Sequence, residues 1–447
     1  MKIKILSIIM LFAFTAKAQT TTEKILKDGI KFNLTEDGKN FAKIGLGSQI
    51  WARYTEFNKD VPNGYGEDKS SGFDISLRRT FFSLYTKFDR FTIFSMVGVS
   101  SQTDTKSTGA YAGNKNAEFF LYDTWASYRL IDEHLTMGMG LNMYSGLSRY
   151  SSATSSKALS ADVPFVACPD LLTTAQNARH LGLFATGKFG MFDYRISIVK
   201  PFRADNVKYN DIKANDGTKF KVPNTDTAYD IPADNLGVKG YFTLQLWDKE
   251  THEMPFKAST YIGKKKVLNF GIGFDYQPEA TITYSNLHEN KDTKKYTADS
   301  KLNDKLHLAA DVFMDLPFKD GSAITFYTGI FKFDYGKNYL LSYGVMDTHS
   351  GSIAEPQQGT GFAINTQIAY LIPSKSAIKL QPYYTFDLKD YDALNDKALH
   401  HNMGMNFFMA GHKAKFGLEY QLRPYFADGK NFDSYKGMGI FKMSFSI

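Results

Sequence analysis

The stretch NFAKIGLGSQIWARYTEF, residues 40–57, decides how this chain is read. Its even positions are Ala42, Ile44, Leu46, Ser48, Ile50, Ala52 and Tyr54, all but one apolar or aromatic. Lys43, Gly45, Gly47, Gln49, Trp51 and Arg53 alternate with them. A strict period of two sends the two sets to opposite faces of a β-strand. A strand of a soluble sandwich reads much the same over about 5–6 residues. Here the parity lasts longer, and the polar face carries Lys, Gln and Arg with two glycines. Such a face suits water while the other suits lipid, which implies a sheet that closes into a barrel across a membrane.

Working outward, the N-terminus fits an exported protein. Lys2 and Lys4 precede an apolar run at 5–14, and Ala16-Lys17-Ala18 is a small-x-small cleavage site. Residues 1–18 therefore read as a signal peptide, 19–39 as a periplasmic N-terminal segment and 40–447 as the barrel. Removing the signal takes three lysines from the 53 basic residues and leaves 50 against 46 acidic ones, a net charge of +4. That balance argues against a nucleic-acid partner. No later run approaches the roughly 18 apolar residues of a membrane helix. Barrel strands of about 9–11 residues leave a weaker signal, and they remain open. The lone Cys168 excludes an internal disulfide. Phe and Tyr are frequent (37 and 27, against 3 Trp), which suits strands and membrane interfaces.

Along the chain, tight turns alternate with long polar loops, as in outer-membrane barrels. Turns fall at 89–90, 131–133, 190–193, 317–322, 373–376 and 410–413. Loops fall at 58–72, 145–179 and 203–237. One region needs a parity argument. Residues 238–248 descend, 249–255 turn, and 256–263 with 267–276 form a hairpin about Lys264-Lys265-Lys266. Both 267–276 and 306–316 then descend, so ATITY at 280–284 is assigned as a rising strand between them. The expectation is a single antiparallel transmembrane β-barrel of eighteen strands. The alternative is sixteen, if ATITY is not a separate strand and one neighbour is split wrongly. The terminal strand alternates Phe441, Met443, Phe445 and Ile447 with Lys442, Ser444 and Ser446. It is similar to the strand by which the barrel assembly machinery recognises its clients, although it ends in Ile447 rather than an aromatic residue.

Parity through each strand points Arg53, Arg78, Asp123, Arg195, Asp275, Asp311, Asp315, Lys415, Glu419 and Arg423 inward as pore-lining residues. Opposed charges in a narrow aqueous channel order water and slow apolar solutes. The same charges would also brace the wall as ion pairs. Arg79, beside Arg78, requires a bulge or a place in the headgroup zone. The loop at 145–179 carries the apolar run Val163 to Pro169, which is costly on a cell surface. It is expected to fold inward as a constriction, with Arg149, Asp162, Phe165 and Asp170 as its candidates. Other features carry no chemistry. His400, His401 and His412 lack a metal-ligand spacing, so no metal is expected. Gly45-Leu46-Gly47 and Gly271-Ile272-Gly273 lie inside strands with no helix to follow. No nucleophile elbow is present.

The segments KIGLGSQIWARY, DISLRRTFFSLY, GLSRYSSATSS and FGMFDYRISIVKPF together resemble a family of porin-like outer-membrane proteins of Gram-negative bacteria, distantly similar to the phosphate-selective porins. The resemblance covers most of the mature chain. It implies a closed barrel and passive diffusion of small polar solutes or ions, without cofactor or catalysis. It carries over no phosphate site, because no dense basic ladder is present. Outer-membrane lipids and the assembly machinery are the implied partners, with a homotrimer as the assembly to test. The competing readings are a non-conducting barrel within a surface or secretion assembly, and an outer-membrane hydrolase.

Overall fold

Alternating sequence becomes alternating exposure. A computed structural model describes residues 29–56, 71–100, 119–144, 146–152, 154–173, 178–200, 226–230, 235–290, 295–343, 355–426 and 429–447. The strands are β1 Ile30–Asn33, β2 Phe41–Glu56, β3 Ser71–Phe88, β4 Phe91–Ser100, β5 Phe120–Ile131 and β6 Leu135–Asn142. They continue with β7 His180–Phe189, β8 Phe192–Lys200, β9 Ala228–Asp230, β10 Gly237–Gln245, β11 Val267–Asn290, β12 Lys295–Pro317 and β13 Ala323–Asp334. The remainder are β14 Leu340–Tyr343, β15 Glu355–Gly359, β16 Gly361–Leu371, β17 Lys379–Tyr391, β18 Ala398–Phe408, β19 Ala414–Tyr425 and β20 Ser434–Ser446.

Sixteen of these, β2–β8, β10–β13 and β16–β20, pair antiparallel with their neighbours in turn. The ring closes where β20 pairs with β2, from Gly47 opposite Ser446 to Thr55 opposite Met438. Closure leaves no free edge within the lipid, which is what allows strands to cross a membrane at all. Outward positions such as Ile75 on β3, Met139 on β6, Ile272 on β11 and Leu418 on β19 are exposed, forming an apolar belt. A closed barrel wrapped in such a belt belongs in the outer membrane. Of the short strands, β1 folds back on β2, with Ile30 opposite Ile44. The predicted signal at 1–18 lies outside the described residues.

The strand count is sixteen, not the preferred eighteen, and two local readings account for the difference. ATITY is no separate strand. Gln277-Pro278-Glu279 looks like a turn, but it is a bulge: the β11–β12 register shifts between Gln277 and Thr281, and Glu279 takes a φ of 49°. The chain therefore runs upward without a break through β11. Residues 256–263 are not a strand either, and 249–255 are not a simple turn. The whole segment between β10 and β11 leaves the wall and enters the barrel from the short-turn, periplasmic end. Ile262 packs with Ala323, Leu371 and Phe408 near that end, while Met254 and Phe256 reach the aromatic cluster of Phe94, Trp125 and Phe184.

The loop between β6 and β7 enters from the other end. It holds 3-10 turns at Arg149–Ser152, Ser155–Lys157 and Phe165–Ala167 and a short helix, Asp170–Thr173. Its Leu147, Tyr150, Val163, Val166 and Ala167 bury against Phe313 of β12, Tyr327, Phe331 and Phe333 of β13 and Tyr391 of β17. At ~25 cal/mol per Å² of apolar surface removed from water, this burial favours the inward position of the loop. One wall of the barrel interior is thus a hydrophobic core rather than a polar channel lining.

Candidate functional site: the barrel interior

The charged positions on the inner face converge on the two inserted segments. The clearest case begins with a bulge in β3. Gln49 pairs with Arg79 and Ile50 with Leu77, so Arg78 is the extra residue. Before it the exposed residues are Phe73, Ile75 and Leu77; after it they are Phe82 and Leu84. The bulge inverts the parity and sends both arginines inward. Arg78 and Arg79 both bond the carboxylate of Asp162 on the loop, Arg79 Nη2 at 2.9 and 3.1 Å from its two oxygens. The Arg78 guanidinium also lies 5.0 Å from the Trp51 ring. Burial pushes the Asp162 carboxyl up, but Arg79 and Arg78 outweigh it and hold it at about 2.

Further along the same wall, Lys415 donates to the Ala158 carbonyl at 2.8 Å, and Glu419 accepts the Ala161 N–H at 2.7 Å. Lys442, outside the predicted set, donates to the carbonyls of Ser160 and Ala161. Arg53 is buried on this wall, and Arg423 donates to the Glu56 carbonyl at 2.9 Å. The opposite wall holds the base of the loop. Asp123 pairs with Arg179 at 3.1 Å. Asp170 meets Lys239 at 2.6 Å and His180 at 3.2 Å, while Lys239 and Lys305 both reach Asp275. Asp311 accepts the Arg149 N–H and the Tyr241 hydroxyl, each at 2.8 Å. Asp315 accepts the N–H of Tyr261 on the periplasmic segment at 2.7 Å. Arg195 donates to Ser152 Oγ on the loop and to the Pro255 carbonyl on the periplasmic segment. Phe165 contributes its carbonyl, which accepts from Gln358 at 2.9 Å.

Most of the predicted lining residues thus hold an inserted segment. The reading from sequence missed Glu250 and Lys257, which sit in stretches taken for a turn and a strand. A sequence signal for the inserts exists in β13, AITFYTGIFKFD, which is apolar on both faces. A strand facing lipid outside and water inside has no use for Phe331 and Phe333.

Between the loop and the β2, β17–β20 wall lies a cavity of about 50 Å³. Trp51, Asp162, Phe165, Asp387, His400 and Arg423 are among its lining residues. Glu355 at its side pairs with Lys389 at 2.7 Å and with His400 Nδ1 at 2.6 Å. The second ring nitrogen of His400 meets Asn402 Oδ1 at 2.8 Å, so neither is free to activate a nucleophile. Among the described residues, no group of three or more His, Cys, Asp or Glu side chains is arranged to hold a metal ion.

No protein-family model matches the chain. No curated protein matches it either. Solved structures do. The high-pH structure of OprB from Pseudomonas putida aligns over 91% of this chain and 94% of its own, at 8% identity and a TM-score of 0.52. An outer-membrane expressed OmpT of Vibrio cholerae aligns over 93% and 100%, at 9% identity and a TM-score of 0.48. Salmonella typhi OmpF in complex with daunomycin aligns over 92% and 99%, at 9% identity and 0.48. At such an identity the likeness to OprB is one of fold alone: a closed β-barrel.

Proposed function

We propose that the chain is an outer-membrane channel for ions and very small polar solutes, in which the inserted loop confines passage to the seam along β2 and β17–β20. The observation that carries this is the cavity of about 50 Å³ beside Asp162 and Arg423. At about 10–15 Å³ per water it has room for a few waters and not for a sugar. Asp162, Glu355, Asp387 and Arg423 share its walls with apolar groups such as Trp51, Phe165 and Met438, and a hydrated path in a barrel of this size is the basis of passive diffusion. Because Asp162 offsets part of the charge of Arg78 and Arg79, selectivity is at most weakly for small anions. Purified protein inserted in a planar bilayer should give small, discrete conductance steps and exclude sugars in a liposome-swelling assay. Folded, inserted barrels that never conduct would refute the proposal.

A second reading has its own observation. The two inserted segments meet inside the barrel and are joined there by backbone hydrogen bonds, Lys257 N to Ser152 O at 3.0 Å and Ser259 N to Lys157 O at 3.2 Å. A barrel closed in this way suits a non-conducting subunit of a surface or secretion assembly. The absence of conductance steps would favour it.

A further inference from the structure

The segment between β10 and β11 enters the lumen from the periplasmic end, and its Glu250 is only 2% exposed. The carboxylate meets the Arg149 guanidinium of the outside loop end on, Nη1 at 2.8 Å from Oε2 and Nη2 at 2.7 Å from Oε1. Bidentate geometry of this kind fixes orientation as well as distance. The guanidinium also donates to the Ala258 carbonyl on the same segment and lies 3.5 Å from the Phe313 ring centroid. Glu250 is itself held from several sides. Asn269 Nδ2 and the Tyr261 hydroxyl donate to its carboxylate, its N–H donates to Gln245 Oε1 at 2.8 Å, and Lys188 donates to its carbonyl. Around this pair run the backbone bonds between the two segments, and Arg195 spans both through Ser152 and Pro255. The carboxylate that orients the Arg149 guanidinium of the outside loop therefore comes neither from the loop nor from the barrel wall.

We propose that Glu250 is a positioning residue for the channel: through Arg149 it fixes the outside loop in the lumen, so the width of the passage is set by a segment rooted on the periplasmic side. The inference rests on the channel reading for its effect on flow, but not for its effect on the loop. A passage governed in this way would widen when the periplasmic segment is displaced, with no change in the barrel wall.

Cys168 supplies a readout independent of conduction. It is the single cysteine, it lies on the loop and is 2% exposed, packed with Met143 and Ala178, and burial pushes its thiol up to about 12. A polar maleimide added to the full-length protein in liposomes should therefore label it slowly. Glu250→Gln should raise the labelling rate at least tenfold and enlarge the conductance step, while heat-modifiable gel mobility shows an intact barrel. The exchanged pair, Arg149→Glu with Glu250→Arg, should return labelling towards the parent rate. Should Glu250→Gln not assemble, Tyr261→Phe removes one bond to the carboxylate and should give a smaller rise. A folded Glu250→Gln or Tyr261→Phe barrel with parent-like labelling would overturn the inference. Faster labelling with no conductance in any form would uphold the positioning role and defeat the channel reading instead.

Discussion

Replacing Asp162 by Asn tests whether the bulge in β3 exists to hold the loop. The parent carboxylate accepts from Arg78, fully buried, and from Arg79, with side chains 0% and 12% exposed. Its Oδ1 also accepts the Val163 N–H at 2.9 Å, a bond that an amide oxygen can keep. Breaking a buried ion pair by removing one partner costs about 3–5 kcal/mol, because a charge is left uncompensated. Two adjacent arginines lose this carboxylate, and Arg79 can turn towards water, which favours the lower end, about 3 kcal/mol. That corresponds to a shift of about 150-fold in the ratio of docked to undocked loop. The wall keeps its backbone ladder, so the barrel should survive. In a planar bilayer the variant should show larger, noisier steps. In a salt gradient its reversal potential should move towards anion selectivity, since one negative charge is removed beside Arg78 and Arg79. Adding Arg79→Gln should reverse part of both changes. A folded Asp162→Asn barrel with parent conductance and parent reversal potential would refute the reasoning.

Acid should act on the same contact. Asp162 is held at about 2 against an ordinary 3.8, so its contribution to docking is complete above about pH 4 and is lost as pH falls through about 2. The part of the conductance that depends on Asp162 should accordingly stay constant from pH 7 to 4 and change only below about 3, and that low-pH step should be missing in Asp162→Asn. Cys168→Ser should leave assembly and heat stability nearly unchanged, because the thiol is free and makes one weak bond, to the Ser151 carbonyl at 3.6 Å; a large loss of melting temperature would contradict this. Gly140→Val should abolish the heat-modifiable band, because φ there is +132° and a Cβ would sit 2.2 Å from the Thr124 carbonyl oxygen and 2.6 Å from Trp125 Cα.

What could be read from the sequence was local, and what could not was set by partners far along the chain. The faces of β2 follow from alternation over sixteen residues. The β3 bulge is legible too. In FDISLRRTFF the apolar residues change parity across Arg78-Arg79, and one extra residue is the only way to keep Phe73, Ile75, Phe82 and Leu84 on the same side. The strand count was not legible. Pro278 marks a break in a strand pattern, and nothing nearby says whether the chain turns back or bulges and continues. The answer lies in β12, whose residues from Asn303 back to Lys295 pair with the continuation from Thr281 to Asn290. Likewise 256–263 alternates well enough for a strand, and only the aromatic inner face of β13 shows that something must pack inside.

The inner-face charges have a further lesson in them. Parity names the side of the wall on which Asp123, Asp275, Asp311 or Lys415 lies, but not what stands opposite. Had water stood there, each charge would act on passing ions through its field, and exchanging its sign would shift selectivity alone. Instead their partners are Arg179, Lys239, the Arg149 N–H and the Ala158 carbonyl, all but Lys239 on the inserted loop. A substitution at these positions therefore acts first on where the loop sits, and on selectivity through that movement. Conductance and selectivity should consequently change together across these positions. On an open polar wall they would separate, and that coupling is the physical mark of a barrel whose channel is shaped by what has folded into it.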